Sequence, residues 1–103
     1  MGENDNIPQM VPSFENILRK DESGNEYWSS RDLCGAMGYS AYWKFQRVID
    51  KAIKVAGEKG MNVDEHFNQA VDMVRIGNGS FRKVNIFRLS RMACMIIAEN
   101  ADG

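Results

Sequence analysis

Residues 26–39 read EYWSSRDLCGAMGY, and the order of residue types in them sets out a strand, a cap, a helix and a stop. Tyr27 and Trp28 close an extended segment. Ser29 is placed to cap the helix that follows, and Asp32, three residues on, completes a variant capping box. Leu33, Ala36 and Met37 recur at helical spacing. Gly38 can adopt the left-handed conformation that ends a helix, with Tyr39 folding back over it.

N-terminal to this stretch, Phe14, Ile17 and Leu18 share one helical face of a short turn over residues 13–18. From Ile17 the segment ILRK suits a strand equally well. Asp21 to Asn25 (DESGN) is a dense turn signal, so the chain returns through residues 26–29 as a β-hairpin. Residues 1–12 are polar, contain both prolines and lack periodicity, which predicts a flexible tail ahead of one domain over 13–103.

C-terminal to it, Ser40 is the expected N-cap of a helix over about residues 41–56. Its apolar face is Tyr42, Phe45, Val48 or Ile49, Ala52, Ile53 and Ala56, ended by Gly57 and Gly60. Residues 62–67 suit a single capped turn, with Glu65 three residues after Asn62. Residues 70–76 read as a strand, with helix as the competitor over 66–76. Gly77-Asn78-Gly79-Ser80 is a turn, and residues 81–86 return as a strand. A last helix is expected over 87–100, with Leu89, Met92, Ala93, Ile96 and Ile97 as its stripe. The expected fold is a small α+β single domain with two β-hairpins and three to four helices.

A chain of 103 residues, 44% hydrophobic and 26% charged, has the balance of one ordinary globular domain. No apolar run approaches the ~20 residues a membrane span needs, and no signal peptide opens the chain. Cys34 and Cys94 both fall in expected helices, so reduced core thiols are the expectation, in a cytoplasmic protein. The net charge of −1 hides a strong asymmetry. Residues 40–56 carry four bases and one acid, and residues 73–98 carry five bases and no acid, within an otherwise acidic chain.

No catalytic constellation stands out. His66 is the one histidine and has no metal-ligand spacing around it. Ser29, Ser30 and Ser90 sit near helix starts, where serine usually caps. Gly77-x-Gly79 lies between strands, wrong for a dinucleotide loop. Asp21-Glu22 and Asp64-Glu65 belong to turns and caps. The expectation is a non-enzymatic protein without metal or cofactor.

The basic blocks are the better lead. Lys44, Arg47, Lys51 and Lys54 recur at spacings of three, four and three, forming one helical stripe. Such a stripe can follow a phosphate backbone, although a charged stripe is more often simply a solvated face. Arg82 and Lys83 flank the Gly-rich tip, with Arg75 across from them, so the hairpin could act as a wing. Tyr42, Trp43 and Phe81 could stack on unpaired bases, or belong to the core. Arg31 could pair with Glu26 or contact a ligand. Arg91, near the start of a helix, stands at the unfavourable end of the dipole and calls for an anionic partner, in the fold or outside it.

The pattern of residues 26–39 resembles the signature of the DNA-damage-inducible protein D family, which is related to the Bro-N domains of phage and viral antirepressors. Leu89-Ser90-Arg91-Met92-Ala93-Cys94-Met95-Ile96-Ile97-Ala98-Glu99-Asn100-Ala101-Asp102 resembles its second block, with Met92 and Met95 where aromatics are usual. Ile76-Gly77-Asn78-Gly79, Lys44-Phe45 and Asp64-Glu65-His66-Phe67 match shorter elements, the last with Glu65 inserted. The resemblance covers about residues 14–103. It implies a Bro-N-like α+β domain of a bacterial cytoplasmic protein of the SOS or prophage response, cut from a longer chain. It also implies DNA, single- or double-stranded, as a ligand. The alternative it implies is a protein-interaction module that modulates a RecA-type recombinase or a repressor without touching DNA. The sequence leaves oligomerisation open.

Overall fold

A computed structural model describes residues 11–101. The expected tail over 1–12 falls almost wholly outside that range. The described elements run α1 (Val11–Asn16), β1 (Arg19–Lys20), β2 (Glu26–Ser29), α2 (Ser30–Ala36), α3 (Tyr42–Glu58), α4 (Val63–His66), β3 (Phe67–Arg75), β4 (Phe81–Leu89) and α5 (Arg91–Asn100). The fold is α+β, as expected, with five helices among the described residues because α1 and α4 each form a short one.

Both hairpins form, and they turn in the same way. Gly24 N–H donates to the Asp21 carbonyl and Asp21 N–H to the Asn25 carbonyl, each at 3.0 Å. Gly79 N–H donates to the Ile76 carbonyl at 3.0 Å and Ile76 N–H to the Ser80 carbonyl at 2.9 Å. In each, one glycine sits in the left-handed region, Gly24 at φ 85° and Gly79 at φ 87°. This is the three-residue loop with a glycine bulge. The first turn is reinforced by the Asp21 carboxylate, which accepts from Ser23 and Asn25 N–H at 2.9 Å. Those bonds, Asn25 first, hold its carboxyl below the usual range.

The two hairpins merge into one antiparallel sheet of order β1-β2-β4-β3, because Trp28 and Ser29 pair with Leu89 and Arg88. That junction corrects the C-terminal boundary. Phe87, Arg88 and Leu89 belong to the strand, and α5 begins only at Arg91. The helix is capped by Ser90, whose Oγ accepts from Ala93 N–H at 3.0 Å. β3 likewise begins at Phe67, three residues earlier than expected, and ends at Arg75. Ser40 does not cap α3: Ala41 holds the N-cap position and supplies no side-chain bond.

Trp28, fully buried, is the pivot of the core. Its ring stacks on Phe14 at 4.2 Å and 7°, and its indole N–H donates to the Phe14 carbonyl at 2.8 Å. The bond satisfies the one polar atom that burial would orphan. Around it pack Leu33 of α2, Phe45, Ile49, Ala52 and Ala56 of α3, Phe67 and Leu89 of the long hairpin, and Ala93, Cys94, Ile96 and Ile97 of α5. Met92, expected on the α5 stripe, is exposed, and Cys94 takes a buried place instead. Both cysteines are free and buried, and burial pushes both thiols up. No helix among the described residues is long and apolar enough to cross a membrane.

Candidate functional site

The opening stretch folds locally as its residues dictate. Ser29 caps α2, its Oγ accepting from Arg31 N–H at 3.2 Å. Met37 ends the helix, with Gly38 at φ 83° and bonds from Gly38 N–H to Gly35 and from Tyr39 N–H to Cys34. This is a Schellman stop. Tyr39 folds back to meet Phe45 at 5.0 Å. Asp32, however, does not reach back to the cap. Its carboxylate receives Arg19 Nε and Nη2, both at 2.9 Å, while Arg19 Nη1 reaches Asp72 at 3.3 Å. Arg19 therefore ties α2 to β3, a link that no local spacing announces.

Ser30, treated above as a generic helix-start serine, is fully buried. Its Oγ accepts from Phe87 N–H at 2.9 Å and lies 2.7 Å from the Tyr42 hydroxyl. One oxygen thus joins α2, β4 and α3. Burial pushes the Tyr42 phenol up, and the Ser30 bond works against that.

Two candidate cations are engaged by the fold. Arg91 makes a two-pronged pair with Glu26, Nε at 3.0 Å and Nη2 at 3.1 Å, and reaches Glu15 at 3.4 Å. Its guanidinium also lies 4.9 Å from the Trp28 ring centroid. The anionic partner expected for Arg91 is therefore a carboxylate of this chain. Arg31 does not meet Glu26, which Arg91 occupies. It stacks over Tyr42 at 4.5 Å, with its Nε buried and unpartnered among the described residues. Arg88 does the same over Tyr27 at 4.7 Å.

The remaining candidates face solvent. Lys44, Arg47, Lys51 and Lys54 are exposed and pair with no described carboxylate. At about 100° per residue they fall in one arc of ~80°, roughly opposite the buried Phe45, Ile49, Ala52 and Ala56. Trp43 borders that arc, 61% exposed, with Lys44 Nζ 5.7 Å from its ring centroid.

On the long hairpin, residues paired across the ladder share a face: Gln69 with Phe87, Val71 with Asn85, Met73 with Lys83, Arg75 with Phe81. This face is core at its base, where Phe67 pairs Leu89, and open towards its tip. Phe81 is 57% exposed there, with the Arg75 guanidinium 5.8 Å from its ring centroid. Arg82 pairs with Val74 on the opposite face, so Arg82 and Lys83, adjacent in sequence, point to opposite sides. Between α3 and the open face lies a groove of about 310 Å³, lined by Tyr42, Gln46, Gln69, Asn85 and Phe87 among others. A second hollow, about 510 Å³, is lined by Asp21, Glu26, Asp64, Glu65 and Arg88 among others.

His66 Nδ1 lies 2.7 Å from Ser90 Oγ, a contact between residues 24 apart that sequence spacing could not reveal. Ser90 also accepts the α5 cap bond, so its oxygen is held in a structural role. Among the described residues no group of three His, Cys, Asp or Glu side chains is placed to hold a metal ion.

No protein-family model matches the chain, and no solved structure matches it. The chain is similar to the DNA damage-inducible protein D of Escherichia coli (strain K12), with 37% identity over 89 residues. The match takes in 86% of this chain and 32% of that protein, so the chain spans about a third of its relative's length. In sequence, the chain is thus similar to one part of a DNA damage-inducible protein D.

Proposed function

We propose that this chain is a non-catalytic, nucleic-acid-contacting regulatory domain of the DNA-damage-inducible protein D type, Bro-N-like and acting in the cytoplasm of a bacterial damage response. The name of its relative supports the response. One observation carries the contact: four cations on α3 are exposed and free of described carboxylates, while Arg91, Arg19 and Arg31 are engaged inside the fold. A cation with no described partner keeps its charge for a polyanion, and each phosphate it neutralises releases counterion. Arg75 and Lys83 place two further positive charges on the open face of the hairpin. No metal or cofactor enters this reading.

Fluorescence anisotropy with labelled DNA at two salt concentrations tests it. Binding should weaken steeply with salt, and the triple variant Lys44→Glu, Arg47→Glu, Lys51→Glu should lose most of its affinity. Unchanged affinity in that variant would remove α3 from the interface.

A second reading, a protein-interaction module acting on a RecA-type recombinase or a repressor, is favoured by Met92 and Met95. They are 49% and 53% exposed on the outer side of α5. Unbranched, polarisable side chains suit adaptable protein contacts. Retention of such a partner by the wild-type chain but not by a Met92→Glu, Met95→Glu variant, with no DNA binding by either, would select this reading.

A further inference from the structure

Resting on the nucleic-acid reading of the same protein, we infer that its ligand is single-stranded, with unpaired bases held on Trp43 of α3 and Phe81 of the long hairpin. Trp43 and Phe81 are the two large aromatics left most exposed among the described residues, at 61% and 57%. Each costs hydration free energy where it stands, and neither fills a gap in the core. Each also has a cation over one face of its ring, Lys44 at 5.7 Å and Arg75 at 5.8 Å, which leaves the other face for a base. An open ring face next to a positive charge is the pairing that holds one nucleotide, base on the ring and phosphate on the cation.

The groove between α3 and the hairpin sets amides among Tyr42, Ala70, Ile86 and Phe87. Gln46, Gln69 and Asn85 line the groove. Gln46 is turned to Asp50 at 2.9 Å, while no described residue hydrogen-bonds the Gln69 or Asn85 side chain. Free amides offer a donor and an acceptor to the Watson–Crick edges that only an unpaired strand exposes. Phe81 lies on the same face as Asn85, four residues further out, about 13 Å along the strand. A duplex keeps its bases stacked inside and could use the cations alone. The exposed aromatic faces would then have no base to stack on.

The test compares an oligothymidylate of ~20 nucleotides with a duplex of the same length at one salt concentration, a span of one to a few binding sites. The single strand should bind roughly tenfold more tightly. Trp43→Ala and Phe81→Ala should each weaken it by about tenfold and leave duplex affinity unchanged. Trp28 is fully buried, so quenching of tryptophan emission by the oligothymidylate should come from Trp43 and vanish in Trp43→Phe. Equal affinity for the two forms, with both alanine variants silent and no quenching, overturns the inference. If the α3 charge reversals still weaken both forms in that case, the broader nucleic-acid reading stands without it. Binding of neither form overturns both.

Discussion

At the scale of the residue, the arginines show how far chemistry depends on neighbours. Arg31, Arg88 and Arg91 look alike in sequence, and each spreads its guanidinium over an aromatic ring, Tyr42, Tyr27 and Trp28 respectively. Only Arg91 adds a bidentate carboxylate, Glu26. That hydrogen bond holds the Glu26 carboxyl below its ordinary value of 4.5. A carboxyl depressed by folding contributes stability above the unfolded value and loses it as pH falls through the folded one. The acid limb of a pH–stability curve should therefore descend below about pH 4.5, and Glu26→Gln should flatten part of that descent, as read by urea midpoints between pH 3 and 6. Both side chains are largely exposed, so the effect is small. Arg91→Ala, in contrast to the α3 reversals, should leave nucleic-acid affinity nearly unchanged in the anisotropy titration.

At the scale of the element, α2 is only seven residues long, too short to stand without its neighbours. Its Schellman stop and Ser29 cap come from local residues. Its position comes from Ser30 and Arg19. Ser30→Ala would leave the half-buried Phe87 N–H and Tyr42 hydroxyl without their bonds. The expected loss is about 1–3 kcal/mol, from the desolvation of unpaired polar groups. It would appear as a lower urea midpoint with an unchanged m-value. The hairpin tip makes a second element-scale case. Gly79 holds φ 87°, with nothing within 4 Å of where a Cβ would stand. Gly79→Ala should therefore cost about 1 kcal/mol through backbone strain alone, with no steric clash. Thermal unfolding followed by circular dichroism would read it.

At the scale of the whole molecule, a net charge of −1 conceals a positive stripe on the outer side of α3 and a positive open face on the hairpin. In the proposed interface each phosphate contact adds about 0.9 to the slope of log affinity against log salt for a duplex, and about 0.7 for a single strand. Replacing Lys44, Arg47 and Lys51 should therefore reduce that slope by about two to three, as well as the affinity itself. A salt series on wild type and variant measures both. A fall in affinity at unchanged slope would point instead to a lost protein conformation.

What the sequence alone determined was whatever lives within a few residues of chain. The caps at Ser29 and Asn62, the stop at Gly38, the places of both turns and the period of α3 follow from local backbone preferences and from spacing along one helix. They were legible for that reason, and the stripe with them. The sequence went astray where a distant partner decides. Phe87 to Leu89 suit the start of a helix whose stripe begins at Leu89, yet pairing with Trp28 and Phe67 draws them into the sheet, because unpaired strand edges in a core cost more than helix propensity returns. Likewise the tertiary structure alone settled that Asp32 answers Arg19 rather than its own cap, and that Arg91 belongs to Glu26. It also placed Trp43 and Phe81 outside the core and the free amides of Gln69 and Asn85 beside a groove. Exposure is a property of what packs against a side chain, and no spacing along one strand or one helix contains it.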